Sequence, residues 1–306
     1  LEADPRINPR EAQFISSRWP QDPFRDKNGT LVRTSPTDGL QARSDAFGIE
    51  VNLNLADGLK LINRFRRAEN SGRFIAPFPA GGQPRDYTGS TPVFSVHLFN
   101  TQLDDMGNTF NDLRLQKPIA LGEGRRVTAT GGLFTGEQRI AMTWFWNRYN
   151  VEATTTGARL FDNAGNVTTE PVVQGRTWGY CCMRHQDHRV RVMAPYAALT
   201  FDLGKLSVDA SVRHDRLNFS GFWEGGNANN TAYDPKSRVT ISNKASATSG
   251  SLGVNFEHSR DLATFARVST PPSTGMNGGP WIVWTMPGRG EHDHAAARPR
   301  MPALLL

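Results

Sequence analysis

Four short polar turns, Ala56-Asp57-Gly58, Leu121-Gly122-Glu123-Gly124, Asp202-Leu203-Gly204-Lys205 and Ser259-Arg260-Asp261, each lie between two runs of alternating apolar and polar residues. Such a run is a strand with one greasy face, so each turn marks a hairpin. The segments joining one hairpin to the next are long, about 25 to 50 residues, and rich in Gly, Asn, Trp and Arg; tight turns at one end and long loops at the other is the pattern of a transmembrane β-barrel. No residue cluster has the spacing of a catalytic site.

The alternation is strictest from Phe47 to Leu55, where Phe47, Ile49, Val51, Leu53 and Leu55 take every second position, and it returns after the turn in Leu59, Leu61 and Phe65 against Lys60, Arg64 and Arg66. Phe110 to Ala120 and Val127 to Phe134 flank the Leu-Gly-Glu-Gly turn. Gly131-Gly132 in the second run suits a closely approached or bent barrel wall. Val190 to Phe201 and Leu206 to Phe219 form the clearest hairpin, with a slip near His214 that reads as a bulge. Ser249 to His258 and Leu262 to Ser269 close the series. The count is eight strands of roughly 8 to 14 residues, against the 9 to 11 that a tilted membrane crossing requires.

Between the hairpins, Asn70 to about Thr109 reads as a Gly/Pro-rich loop in which Val93 to Phe99 alternates well enough to be a strand. Thr135 to Gln186 reads as the longest excursion, and Asn218 to Thr248 as another loop. Residues 1–43 read as a Pro-rich, charged loop segment with a small hairpin about Asp26-Lys27-Asn28-Gly29-Thr30. Residues 44–269 are the expected partial barrel. Residues 270–306, with Pro271-Pro272 and Pro287-Gly288-Arg289-Gly290, are expected to be an irregular tail that is not barrel, disordered or read in a shifted frame. The start lacks an initiator Met and a signal-like plan, which suggests a chain cut from something longer.

With 306 residues, 38% hydrophobic and 21% charged, composition alone would suit a soluble protein. Barrel strands, however, expose only every second side chain to lipid and give a weak hydropathy signal. Helical spans are a different matter: no apolar run approaches the roughly 20 residues a membrane helix needs. The net charge of +6 comes from scattered side chains with no basic run, so nucleic acid is not an expected partner.

The two cysteines are adjacent, Cys181-Cys182, and with His185 and His188 they fit no standard zinc spacing; His292 and His294 fit none either. No metal site and no cofactor is expected. Catalysis is not expected: Thr248-Ser249-Gly250-Ser251-Leu252 lacks a nucleophile elbow, Asp104-Asp105 and Asp112 suit solvated turns, and Gly122-Glu123-Gly124 has no helix after it to hold phosphate. For ligand contact the candidates are Trp144, Trp146, Tyr149, Trp178, Tyr180 and Arg184, aromatic rings with a cation that can stack on a flat or anionic ligand. Such rings also serve as interface girdles or pack their own loops.

Several stretches together resemble the barrel half of a TonB-dependent outer-membrane receptor: Phe110-Asn111-Asp112-Leu113-Arg114-Leu115, Thr130-Gly131-Gly132-Leu133-Phe134, Ala194-Pro195-Tyr196-Ala197-Ala198-Leu199, Ser207-Val208-Asp209-Ala210-Ser211-Val212-Arg213 and Asp261-Leu262-Ala263-Thr264-Phe265-Ala266-Arg267. The resemblance covers about Ser44 to Ser269. It implies an all-β, partial antiparallel transmembrane barrel in a Gram-negative outer membrane, with lipid, TonB and a small ligand as partners. The ligand class it implies is a metal chelate such as a ferric siderophore, or an oligosaccharide. Plug and terminal aromatic strand are missing from the matched pattern, and about eight strands stand where the family's barrel has 22, so the piece alone is not expected to transport. In this reading Phe47 to Leu55 and Leu206 to Val212 turn their apolar faces to lipid, while Lys60, Arg64, Arg66, Asp209, Ser211 and Arg213 line a wet lumen. A soluble β-sandwich or lectin-like carbohydrate-binding module is the competing reading. It requires apolar faces packed on each other and loops of even length at both ends.

Overall fold

The computed structural model describes residues 22–35, 37–79, 92–154, 158–162, 164–168, 181–228, 231–270 and 281–284. These form strands β1 (Asp22–Arg25), β2 (Leu31–Thr34), β3 (Leu40–Asn54), β4 (Lys60–Pro79), β5 (Val93–Asp105), β6 (Asn108–Gly122), β7 (Arg125–Glu152), β8 (Leu160–Phe161), β9 (Val167–Thr168), β10 (Cys181–Asp202), β11 (Leu206–Gly225), β12 (Val239–Ser259), β13 (Leu262–Thr270) and β14 (Trp281–Trp284). One large antiparallel sheet runs β3-β4, then β5 and β6, then β7-β10-β11-β12-β13-β14, and β1 with β2 forms a separate hairpin. The long strands follow one another in sequence order, and the two-residue β8 and β9 extend the sheet from the loop end of β7.

Strands β5 and β6 occupy one lane of the sheet. Both pair with β4 and with β7, β5 toward the loop end and β6 toward the turn end. The ladder carries across the break through Met106 N–H to Asn70 O (2.8 Å) and Arg139 N–H to Gly107 O (2.9 Å). An extra residue near Asp104 makes this a bulge, which reverses the side-chain alternation of that lane while β4 and β7 keep theirs. Counted by lanes, the large sheet has eight long strands and the short β14.

All four expected turns are present. In the first, Asp57 (φ 57°) and Gly58 (φ 72°) both take the left-handed region that a two-residue hairpin turn requires. The second uses Gly122 (φ 86°), Glu123 (φ 52°) and Gly124 (φ 74°) in the same way. The hairpin about Asp26 to Thr30 also forms, as β1 and β2, closed by Asp26 N–H to Thr30 O at 3.0 Å.

The strands are longer than the alternation indicates, and the extra length lies on the loop side. β4 continues through Pro79 where a loop from Asn70 is expected, β7 runs through Glu152 where an excursion from Thr135 is expected, and β10 begins at Cys181. β7 alone has 28 residues, on the order of 90 Å of extended chain, of which a membrane crossing uses about 9 to 11 residues. On the C-terminal side, Trp281–Trp284 pairs with β13, Ser269 opposite Trp281, so a stretch expected to lack strands supplies one. The remainder of 271–306 lies outside the described residues.

Register shows why the turn-side half alternates. One row across the sheet on one face reads Leu53, Leu61, Leu115, Gly131, Ala197, Val212, and another reads Ala129, Leu199, Ala210, Leu252, Val268. Leu53, Leu115, Leu199, Val212 and Leu252 are all exposed. A sandwich would bury this face against a second sheet; here nothing among the described residues covers it, as expected of a wall facing lipid. On the same face of β7 but nearer the loops, the apolar residues are instead buried. Val96, Leu98, Tyr149, Val151 and Leu160 pack with Ile75 and Ala158, and Phe145 packs with Met183 and Tyr233. The β1-β2 hairpin adjoins this region, with Asn100 Nδ2 donating to Thr34 Oγ1 at 2.8 Å and Tyr233 Oη donating to Asp26 O at 3.0 Å.

Candidate ligand-facing surface

The opposite face of the sheet is polar on the turn side. Lys60, Arg64 and Arg66 alternate with the apolar positions of β4, and by register they share a face with Asp112, Tyr196, Asp209, Ser211 and Arg213. Several charges on this inner face are paired among themselves. Arg64 Nε meets Glu50 Oε2 at 2.8 Å, Arg213 meets Asp215 at 2.7 Å and Arg267 meets Asp209 at 2.8 Å. Asp112 takes both the Arg114 guanidinium and the Tyr196 hydroxyl. The six residues expected to line a wet lumen are therefore on one face, opposite the exposed apolar rows.

Toward the loop end the same inner face turns aromatic. β7 places Trp144 and Trp146 here because even-numbered residues of that strand continue the row of Thr130, Gly132 and Phe134. Trp146 stands opposite Phe99 of β5, and Trp144 opposite Thr101, which in turn faces Phe74 of β4. The rings form a ladder: Phe78 on Phe99 at 4.4 Å, Phe99 on Trp146 at 3.9 Å and Trp144 beside Trp146 at 6.2 Å. Arg184, directly opposite Trp144 in register, ends it. Its guanidinium carbon lies 5.1 Å from the Trp144 ring and 5.1 Å from that of Trp223 on β11.

Two properties set this ladder apart. Arg184 has no carboxylate partner among the described residues, so its charge is held by ring faces alone. The Trp146 indole N–H is buried and has no hydrogen-bond acceptor among the described residues. Two rows nearer the turns, His188 stacks on Phe219 at 5.0 Å. Burial pushes its imidazole pKa down and keeps it neutral at neutral pH.

Of the sequence-derived candidates, Trp144, Trp146 and Arg184 come together. Tyr149 takes the other face of β7 and is 1% exposed within the loop-side core. Trp178 and Tyr180 lie outside the described residues. Four ladder members, Phe74, Phe78, Phe99 and Trp223, are missing from the sequence reading. The alternation of Val93 to Phe99 was the available signal for Phe99. Phe74 and Phe78 sit in what reads as loop. His185 and His188, three apart on a strand, face opposite sides, His185 meeting Glu224 at 3.2 Å. The side chains of Cys181 and Cys182 are outside the described residues.

A profile of the TonB dependent receptor-like β-barrel family matches residues 4–290. No curated protein matches the chain. Among solved structures it is similar to the ferric yersiniabactin uptake receptor of Yersinia pestis, at 12% identity over 80% of this chain, with a TM-score of 0.28. The chain spans 46% of that receptor's length. The family comprises transporters rather than enzymes. With a match that takes in nearly all of its length, this chain belongs to the TonB-dependent receptor-like β-barrel family.

Proposed function

We propose that this chain forms part of the wall of an outer-membrane receptor that takes up a scarce nutrient, a ferric siderophore being the favoured class, with energy delivered through TonB. Short turns then face the periplasm and the long strand extensions stand outside the cell. The ligand meets the inner-face ladder, where Trp144 and Trp146 offer ring faces and Arg184 a cation that no carboxylate among the described residues neutralises. The observation that carries this reading is Arg184 held between Trp144 and Trp223 with no carboxylate partner among the described residues. A cation kept by ring faces alone is ready for an anionic, flat chelate.

The test uses the receptor that contains this chain. It should fractionate with outer membranes, and Trp144→Ala and Arg184→Ala should each lower uptake or ligand affinity while leaving assembly intact. Unchanged uptake in both variants removes the ladder from the ligand path. A receptor found only in soluble fractions ends the membrane reading altogether.

A further inference from the structure

The back of the aromatic ladder is polar. One row across the outward face at that level reads Arg73, Gln102, Thr143, His185, Glu224, and four of these are the chain neighbours of the ladder members Phe74, Trp144, Arg184 and Trp223. Thr143 and Glu224 are buried. The β1-β2 hairpin and the segment after β11 meet beside this row. Thr34 Oγ1 accepts from the Asn100 amide at 2.8 Å, and Tyr233 donates its hydroxyl to Asp26 O at 3.0 Å. The Tyr233 ring packs on Phe145 and Met183 and stands 5.6 Å from that of His185.

The hairpin is closed from within and can move as a unit. Asp26 N–H meets Thr30 O at 3.0 Å, and the Asp26 carboxylate accepts from Asn28 N–H at 2.9 Å and Thr30 N–H at 2.8 Å. Leu31 and Val32 are exposed, so they add no buried apolar surface to the docking, and an element tied down by polar contacts opens at low free energy. Arg25 Nε is buried with no acceptor among the described residues, a cost that undocking removes. The Asp104 carboxyl lies at this contact. It accepts from Thr143 Oγ1 at 2.7 Å, and the titratable groups around it are Asp26 and Lys27 of the hairpin, His185 of β10 and Tyr233. Nearby charges are committed elsewhere: Glu224 to His185 at 3.2 Å and Arg238 at 2.8 Å, and Asp105 to Arg139 at 2.9 Å. Burial favours the neutral form of Asp104 and pushes its pKa up.

We infer that the β1-β2 hairpin is a proton-controlled strap: with Asp104 protonated it is latched by Tyr233 against the back of the ladder, and when the Asp104 carboxyl gives its proton to water it comes away as a unit. Docking then binds one proton. It is strongest below the ordinary aspartate range and weakens as pH climbs from there through the raised docked value. Loosening the strap frees Thr143, His185 and Glu224, and with them the strand segments that carry Trp144, Arg184 and Trp223. The strap equilibrium needs no ligand; that it regulates ligand capture rests on the reading of the ladder as the ligand-facing surface.

The experiment follows amide hydrogen exchange by mass spectrometry in the detergent-purified receptor containing this chain, from the aspartate range to neutral pH, with intrinsic exchange rates divided out. An isolated two-stranded hairpin is marginal in water, so undocking exposes the amides of residues 22–34. Their protection should fall with rising pH, by at most about tenfold per pH unit for one linked proton. The amides of Thr143, Trp144, Arg184 and His185 should loosen with them. Asp104→Asn should hold protection at its acid level throughout. Tyr233→Phe, which removes the donor to Asp26 O, should lower protection roughly three- to tenfold at every pH and keep the slope. Protection that does not vary with pH in the parent overturns the proposal, as does an Asp104→Asn receptor that keeps the parent's slope. If Asp104→Asn fails to assemble, unchanged protection in Tyr233→Phe overturns it instead. Trp144→Ala and Arg184→Ala receptors with full uptake remove the ladder from the ligand path and leave the strap standing.

Discussion

The Tyr196 hydroxyl donates a 2.7 Å hydrogen bond to Asp112 Oδ1, reaching from β10 across the whole width of β7. It can do so because the residue beneath the ring is Gly132. A Cβ built there would lie 2.3 Å from Tyr196 Cζ. Its neighbour Gly131, on the outward face, has open space at the same position.

The two glycines should therefore behave differently. Gly132→Ala must displace the Tyr196 ring and strip Asp112 of one donor, destabilising the barrel by about 1 to 3 kcal/mol. Gly131→Ala should be neutral or stabilise slightly, by roughly 0.5 kcal/mol, through lost freedom of the unfolded chain. The temperature at which unboiled receptor loses its fast-migrating gel band measures both, and equal shifts would contradict the assignment of faces.

Depth and face together set the cost of a buried charge in a barrel wall. Leu252→Arg, in the middle of the outward apolar rows, should cost roughly 2 to 4 kcal/mol and lower the yield of assembled receptor. Ser251→Arg, one residue away on the inner face beside Ser211, should be tolerated within about 1 kcal/mol. Reversal of that order would place lipid on the wrong side of the sheet.

Tyr149 and Trp144 lie close on one strand and should fail in different ways. Tyr149→Ala empties a fully buried site and should destabilise the loop-side core by about 3 to 5 kcal/mol. Trp144→Ala removes a ring from the half-buried inner ladder and should change ligand affinity more than the melting temperature. Parallel uptake and unfolding curves separate the two.

Acid should act oppositely on two carboxyls on the loop side. Arg139 grips Asp187 through Nε at 3.0 Å and through a second nitrogen at 2.6 Å, which holds the Asp187 carboxyl below the ordinary aspartate range. Its contribution is present above the unfolded-state pKa and is lost as pH falls through the lower folded value. Since Arg139 is 41% exposed, screening limits that contribution to about 1 kcal/mol. Burial instead pushes the Asp104 carboxyl up, against the hydrogen bond it accepts from Thr143. That group favours the folded state only while protonated, an advantage lost as pH rises through its raised folded value. Asp187→Asn should flatten the loss of stability in acid, and Asp104→Asn should be neutral or stabilising at pH 7. Unfolding followed from neutral pH down to the carboxylate range tests both signs.

The four turns, the strand partners on each side of them and the separation of greasy from wet faces were legible in the chain itself. They depend on local chemistry: left-handed Asp57-Gly58 closes a hairpin wherever it occurs, and a period of two puts Phe47, Ile49, Val51 and Leu53 on one side of any strand. The family was legible too, because those local patterns recur in a fixed order.

What the sequence left open was everything beyond the lipid-facing rows. Past Asn70 and Thr135 the alternation is broken by Gly and Pro, or both faces of the strand carry large side chains, since the outward face there meets protein core instead of lipid. A period-two rule sees no strand in such a stretch. Only the register of β4, β5, β7, β10 and β11 brings Phe78, Phe99, Trp146, Trp144, Arg184 and Trp223 side by side, and only it sends Tyr149 to the other face. Alternation is a property of one strand and is written in consecutive residues; adjacency across five strands depends on hydrogen-bonded pairings that the three-dimensional fold alone sets.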